Sequence, residues 1–93
     1  MITLPKNTIP ARDPDIENNQ WFKVFNSNAR RLIINNNNNY SIFVAGTETG
    51  LAPLVGVEGV EIKSGKFRSY PASTTIFILR QYGDIVRVVV EED

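Results

Sequence analysis

A chain of 93 residues with ten Lys plus Arg, ten Asp plus Glu and a formal net charge of zero is one small domain. It lacks the clustered cationic excess that a nucleic-acid binder needs. Cysteine and histidine are both absent, which removes disulfides, thiol catalysis, the usual imidazole-assisted nucleophile and most transition-metal sites. No apolar run reaches membrane-spanning length, and no basic patch followed by an apolar run marks a secretory signal.

Residues 1–20 differ from the rest. Pro5, Pro10 and Pro14 fall too close together for a helix, and Asn7, Asp13, Asp15, Asn18 and Asn19 favour turns. The apolar residues Ile2, Leu4, Ile9 and Ile16 stand singly. Such a segment is either a tail or strand on its own domain or an extended arm whose isolated side chains seat in a neighbour's grooves. The arm is the expectation adopted, with residues 21–93 as the folded body.

Trp21, Phe22, Val24 and Phe25 open that body. A strand places Trp21, Lys23 and Phe25 on one face and Phe22, Val24 and Asn26 on the other. The aromatic cluster packs a core or offers a stacking platform. Residues 26–29 are a turn cluster, and Arg30, Arg31, Leu32, Ile33 and Ile34 resume an extended run. The paired arginines are a solvated strand start, an interface ion pair or a phosphate grip. Asn35, Asn36, Asn37, Asn38 and Asn39 then predict a strand-to-strand loop, because asparagine tolerates left-handed backbone and bonds locally. The loop leads into Tyr40, Ser41, Ile42, Phe43 and Val44, which reads as the second arm of a hairpin, with Phe43 opposite Ile42 and Val44.

The stretch 45–59 carries Gly46, Gly50, Gly56, Gly59 and Pro53, and it reads as a long loop. It lacks the spacing and the Gly-Lys-Ser or Gly-Lys-Thr ending of a phosphate cradle. Val60 and Ile62 alternate with Glu61 and Lys63 as an edge-like strand. Ser64 and Gly65 turn the chain into residues 66–70, and Pro71 closes that strand. Two apolar runs, residues 75–80 and 84–91, meet across Gln81, Tyr82 and Gly83 and predict a second hairpin. In its last strand Val86, Val88 and Val90 share a fully apolar face assigned to the core, while Ile85, Arg87, Val89 and Glu91 share a mixed one. Six to seven short strands without a helical pattern predict an all-β, antiparallel β-sandwich or barrel with an extended N-terminal arm.

The residues offer no chemistry. Glu58 and Glu61 would be a glycosidase pair only if their strand did not turn polar residues to solvent. No catalytic residue, metal or cofactor is expected.

Four runs carry a resemblance over roughly residues 31–91: Arg31-Leu32-Ile33-Ile34-Asn35; Tyr40-Ser41-Ile42-Phe43-Val44-Ala45-Gly46; Val60-Glu61-Ile62-Lys63-Ser64-Gly65; and Thr75-Ile76-Phe77-Ile78-Leu79 ahead of Gly83 and a valine-rich strand ending in acid. In this order they resemble small bacteriophage virion proteins, the capsid decoration or cement proteins and related tail modules. The asparagine run and the proline-punctuated arm depart from the common form. The resemblance implies a β-sandwich that performs no chemistry, binds the major capsid protein or other virion subunits, and resides in the virion after assembly in the host cytoplasm.

Apolar second faces point to self-association independently of that likeness. Phe77 and Leu79 lie opposite Ile76 and Ile78, and Phe43 lies opposite Ile42 and Val44, whereas a lone two-layer sandwich turns polar residues outward. The expected state is a homo-oligomer, a trimer at a capsid symmetry axis, with Ile2, Leu4, Ile9, Ile16, Phe43, Phe77 and Leu79 at partner interfaces. The alternative is a carbohydrate-binding module of a phage tail or cell-surface protein that uses Trp21, Phe22, Tyr70 or Tyr82.

Overall fold

Strands form where β-branched and aromatic residues alternate with polar ones. The computed structural model describes residues 2–3, 7–13, 15, 20–25, 30–53, 59–81 and 85–92. Its strands are β1 (Ile2–Thr3), β2 (Asn7–Ile9), β3 (Trp21–Phe25), β4 (Leu32–Asn36), β5 (Ile42–Thr47), β6 (Val60–Ile62), β7 (Phe67–Tyr70), β8 (Thr75–Leu79) and β9 (Val86–Glu92). All described pairings are antiparallel. The first sheet runs β1-β9-β4-β7, with β2 adding to β9 on the line of β1, and the second runs β3-β8-β5-β6. The protein is therefore an all-β sandwich. Strands β3 to β9 match the seven runs expected from the sequence, and β1 and β2 are additional.

The core lies between the sheets. Val86, Val88 and Val90 are wholly buried, as their shared face predicts, and Leu32 and Ile34 join them from β4. The second sheet contributes Ile42, Val44, Ile62, Ile76 and Ile78 to the same cluster. Each such side chain gains about 1.5–3 kcal/mol on full burial. Arg87 on the opposite face of β9 is exposed.

Neither expected hairpin forms. β8 belongs to the second sheet and β9 to the first, while β4 belongs to the first and β5 to the second. The Ser64–Gly65 turn likewise carries the chain from β6 in one sheet to β7 in the other. Gly65 takes a φ of 76°, which favours glycine there. Among the described residues, β5 and β6 are the consecutive strands that pair with each other. A short loop can reach a strand about 5 Å away in its own sheet or about 10 Å away in the facing one, and side-chain alternation is the same in both cases.

The N-terminal segment also departs from expectation. Ile9 pairs with Val86 and is wholly buried in the core of its own chain, so it does not reach a neighbour. Asn7 and Thr8 pair with Val88 and Arg87. Beyond β2 the Arg12 N–H donates to Gln81 O at 2.6 Å, and the Arg80 guanidinium donates to the carbonyls of Pro10 at 3.3 Å and Ala11 at 2.5 Å. The prolines are compatible with this because β2 is an edge strand and Pro10 lies just past its end. Ile2 pairs through its backbone with Glu92. Its side chain, Leu4 and Ile16 lie outside the described residues.

Candidate functional site

The outer face of the second sheet is the surface singled out by the apolar second faces. Pairing of Trp21 with Leu79, Lys23 with Phe77, Ala45 with Phe77 and Phe43 with Glu61 places all these residues on one face. Trp21, Phe43, Ala45 and Leu79 are half-buried, and Lys23 and Glu61 at the edges are exposed. Phe77, at the centre, is only 3% exposed within the single chain. Its expected role at a partner interface is therefore corrected: it is already covered, whereas Phe43 and Leu79 keep exposed surface. The Trp21 indole extends toward Gly59, where an added Cβ would stand 2.6 Å from Trp21 Cη2. Gly59 has a φ of 78°, so glycine satisfies both the backbone and the close ring. The indole Nε1–H is buried without a hydrogen-bond partner.

The asparagine run connects two strands as expected, with Asn37 and Asn39 exposed, and its Asn36 and Asn38 also form a structural clasp. Asn36 shares the inward face of β4 with Leu32 and Ile34 and is wholly buried. Its amide donates to Tyr40 O and to Ile62 O, both at 2.8 Å, the second bond crossing from the first sheet to the second. Its Oδ1 accepts from the Asn38 N–H at 2.9 Å and from Asn38 Nδ2 at 2.8 Å. Asn38 in turn donates to Arg87 O at 2.7 Å and accepts from the Arg87 N–H at 3.1 Å, so a side-chain amide continues the pairing where β4 ends. Asn35 donates to Glu91 Oε1 at 2.7 Å. Sequence reasoning missed these roles, although the period of two already put residue 36 on the face of residues 32 and 34.

The three described aromatics of the carbohydrate alternative do not converge. Trp21 is on the outer face of the second sheet, Phe22 is on the opposite face of β3, and Tyr70 is buried on β7 of the other sheet. Tyr82 lies outside the described residues. The Tyr70 ring leaves no room for a Cβ at Gly46, which would meet ring carbons at 2.7 Å. Burial raises the phenol above its ordinary range and outweighs the nearby Arg68 guanidinium, and the hydroxyl has no hydrogen-bond partner.

Of the two acids weighed as a pair, Glu61 is exposed and Glu58 lies outside the described residues. Arg30 and Arg31 are both exposed at the start of β4. Among the described residues, no group of three or more His, Cys, Asp or Glu is placed to hold a metal ion. No described helix is long and apolar enough to cross a membrane.

Comparison with protein-family models, with curated proteins and with solved structures gives no match.

Proposed function

We propose that this chain is a non-enzymatic structural protein of a virion, of the capsid decoration or cement kind, that self-associates and binds the major capsid protein or another virion subunit. The observation that carries the reading is the outer face of the second sheet, where Trp21, Phe43, Ala45 and Leu79 surround Phe77. A second copy seated there would cover apolar surface that a free two-layer sandwich would replace with polar residues. In this reading the copies meet through Phe43 and Leu79 as a homo-oligomer, a trimer at a capsid symmetry axis. Ile9 serves the chain's own core instead of a neighbour's. The clasp made by Asn36 and Asn38 suits such a role, because it ties the two sheets together without a disulfide or a metal.

Peptide mass spectrometry of gradient-purified particles from the source of the gene tests the virion assignment. Peptides of this chain in fixed ratio to the major capsid protein are expected. Their absence from the particles, with the chain abundant in the soluble fraction, would overturn the assignment.

A further inference from the structure

Strand β7 ends the first sheet, and its outer edge has no strand beside it among the described residues. The register of β4 with β7 fixes which backbone groups face that edge. Asn36 N–H donates to Lys66 O at 3.0 Å, while Lys66 N–H turns back to Lys63 O and Asn36 O accepts from Gly65 N–H, so within the strands the pairs that exchange backbone bonds are 34 with 68 and 32 with 70. Phe67 and Ser69 therefore turn both N–H and C=O away from the sheet, as four groups ready for another strand. Beside them the Phe67 side chain is 64% exposed. Together with Ile33, Asn35 and Glu91 it lines an open groove of ≈ 290 Å³ on the outer face.

From the β6–β7 turn through β7 the charge has one sign: residues 62–74 contain Lys63, Lys66 and Arg68 and no Asp or Glu. Lys63, Lys66 and Arg68 are exposed along the β6–β7 turn and edge. Arg68 sits over the Tyr70 ring, 5.6 Å from its centroid. The nearest carboxylate on the groove, Glu91, already accepts the Asn35 amide.

A second copy of β7 fits this edge badly. Two-fold pairing centred on Phe67 sets Lys66 against the other copy's Arg68, and pairing centred on Arg68 sets two arginines against each other; like charges directly opposite are destabilising. Centring on Ser69 sets Phe67 against Pro71, which has no N–H to give.

We propose that β7 is a strand-addition site for an extended acidic segment of another protein. The segment carries a carboxylate opposite Arg68 and apolar side chains on either side of it that pack on Phe67 and Ile33. This deepens the structural role proposed above by naming the chemistry of one partner, and it rests on that reading.

Fluorescence anisotropy of the full-length chain tests it, with a labelled eight-residue peptide alternating valine and glutamate and its valine–lysine counterpart as probes. The glutamate peptide is expected to bind and the lysine peptide not. Ser69→Pro removes an outward N–H without removing a bond to β4, and it should weaken binding by about tenfold or more. Lys66→Glu combined with Arg68→Glu should reverse the preference toward the lysine peptide, and this arm decides the matter if circular dichroism finds Ser69→Pro unfolded. No binding of the glutamate peptide up to about 1 mM, equal binding of both peptides, or indifference to the substitutions would overturn the proposal. A drop in solution mass caused by Ser69→Pro would assign the edge to a second copy and overturn it too. Leu79→Lys, on the other sheet, separates the two readings: it should change solution mass and leave peptide binding intact.

Discussion

Replacing Asn36 by Asp changes one amide nitrogen to oxygen at almost constant shape. Asn36 is wholly buried, and its Nδ2 donates to Tyr40 O and Ile62 O, both at 2.8 Å. A carboxylate there loses both donations and sets a negative oxygen against two carbonyl oxygens. Each buried polar group left without a partner costs about 1–3 kcal/mol, and an unpaired buried charge costs more. A loss of about 3–5 kcal/mol at neutral pH follows, a large share of the stability of a small domain. To escape the cost, the introduced Asp must stay protonated when folded, so its folded pKa lies above the unfolded value of about 3.9. The folded state then binds more protons, and the deficit relative to the wild type grows as pH rises through 3.9 and shrinks as pH falls back toward it. Urea denaturation followed by the fluorescence of Trp21, the only tryptophan, measures both effects through the midpoint at constant slope. Asn39→Asp, at an exposed position, is the control and should stay within about 0.5 kcal/mol. An Asn36→Asp variant within about 1 kcal/mol of wild type at neutral pH, or one whose deficit ignores pH, would refute the clasp.

Four other substitutions test the fold and its edges. Val88→Asp buries a carboxylate on the wholly buried valine face and should unfold the domain, whereas Arg87→Lys on the exposed face should be nearly neutral by thermal melting. Ile9→Ala should cost about 2–5 kcal/mol in the same urea assay; a negligible change would mean that the N-terminal segment is not part of the core. Tyr70→Phe removes a hydroxyl that has no hydrogen-bond partner and should be neutral or slightly stabilising. Because burial raises the Tyr70 phenol, the wild type should also lose stability as pH rises from about 10 through the raised folded value. The Phe variant should lack that part of the alkaline loss.

The strands were legible in the sequence, and their partners were not. Val86, Val88 and Val90 announce a buried face because burial imposes a period of two, and that face is wholly buried. The same period says nothing about which sheet a strand joins. Gln81, Tyr82 and Gly83 and the asparagine run therefore read as hairpin loops, whereas β8 and β9, like β4 and β5, lie in different sheets. Asn36 was hidden for a different reason. A polar residue on a core-facing position is legible only once its partners are known, and Ile62 O lies 26 residues away in sequence. The pairing of β2 with β9 was obscured by prolines that forbid a central strand but permit an edge. Of the expected interface residues, Ile9 and Phe77 were drawn from correct apolar patterns, but the chain uses them internally. Phe43 and Leu79 remain half-exposed on the surface to which they were assigned.

Solution mass by multi-angle light scattering at tens of micromolar tests the structural role most directly, since it rests on a second copy covering the outer face of the second sheet. One chain is 10.5 kDa. The full-length protein should give a whole-number multiple of that mass, and Leu79→Lys, with an unchanged β-type circular dichroism spectrum, should fall to a single chain. A wild-type protein of one-chain mass across that concentration range would contradict the account, because the face formed by Trp21, Phe43, Ala45 and Leu79 would then be stable in water without a partner copy.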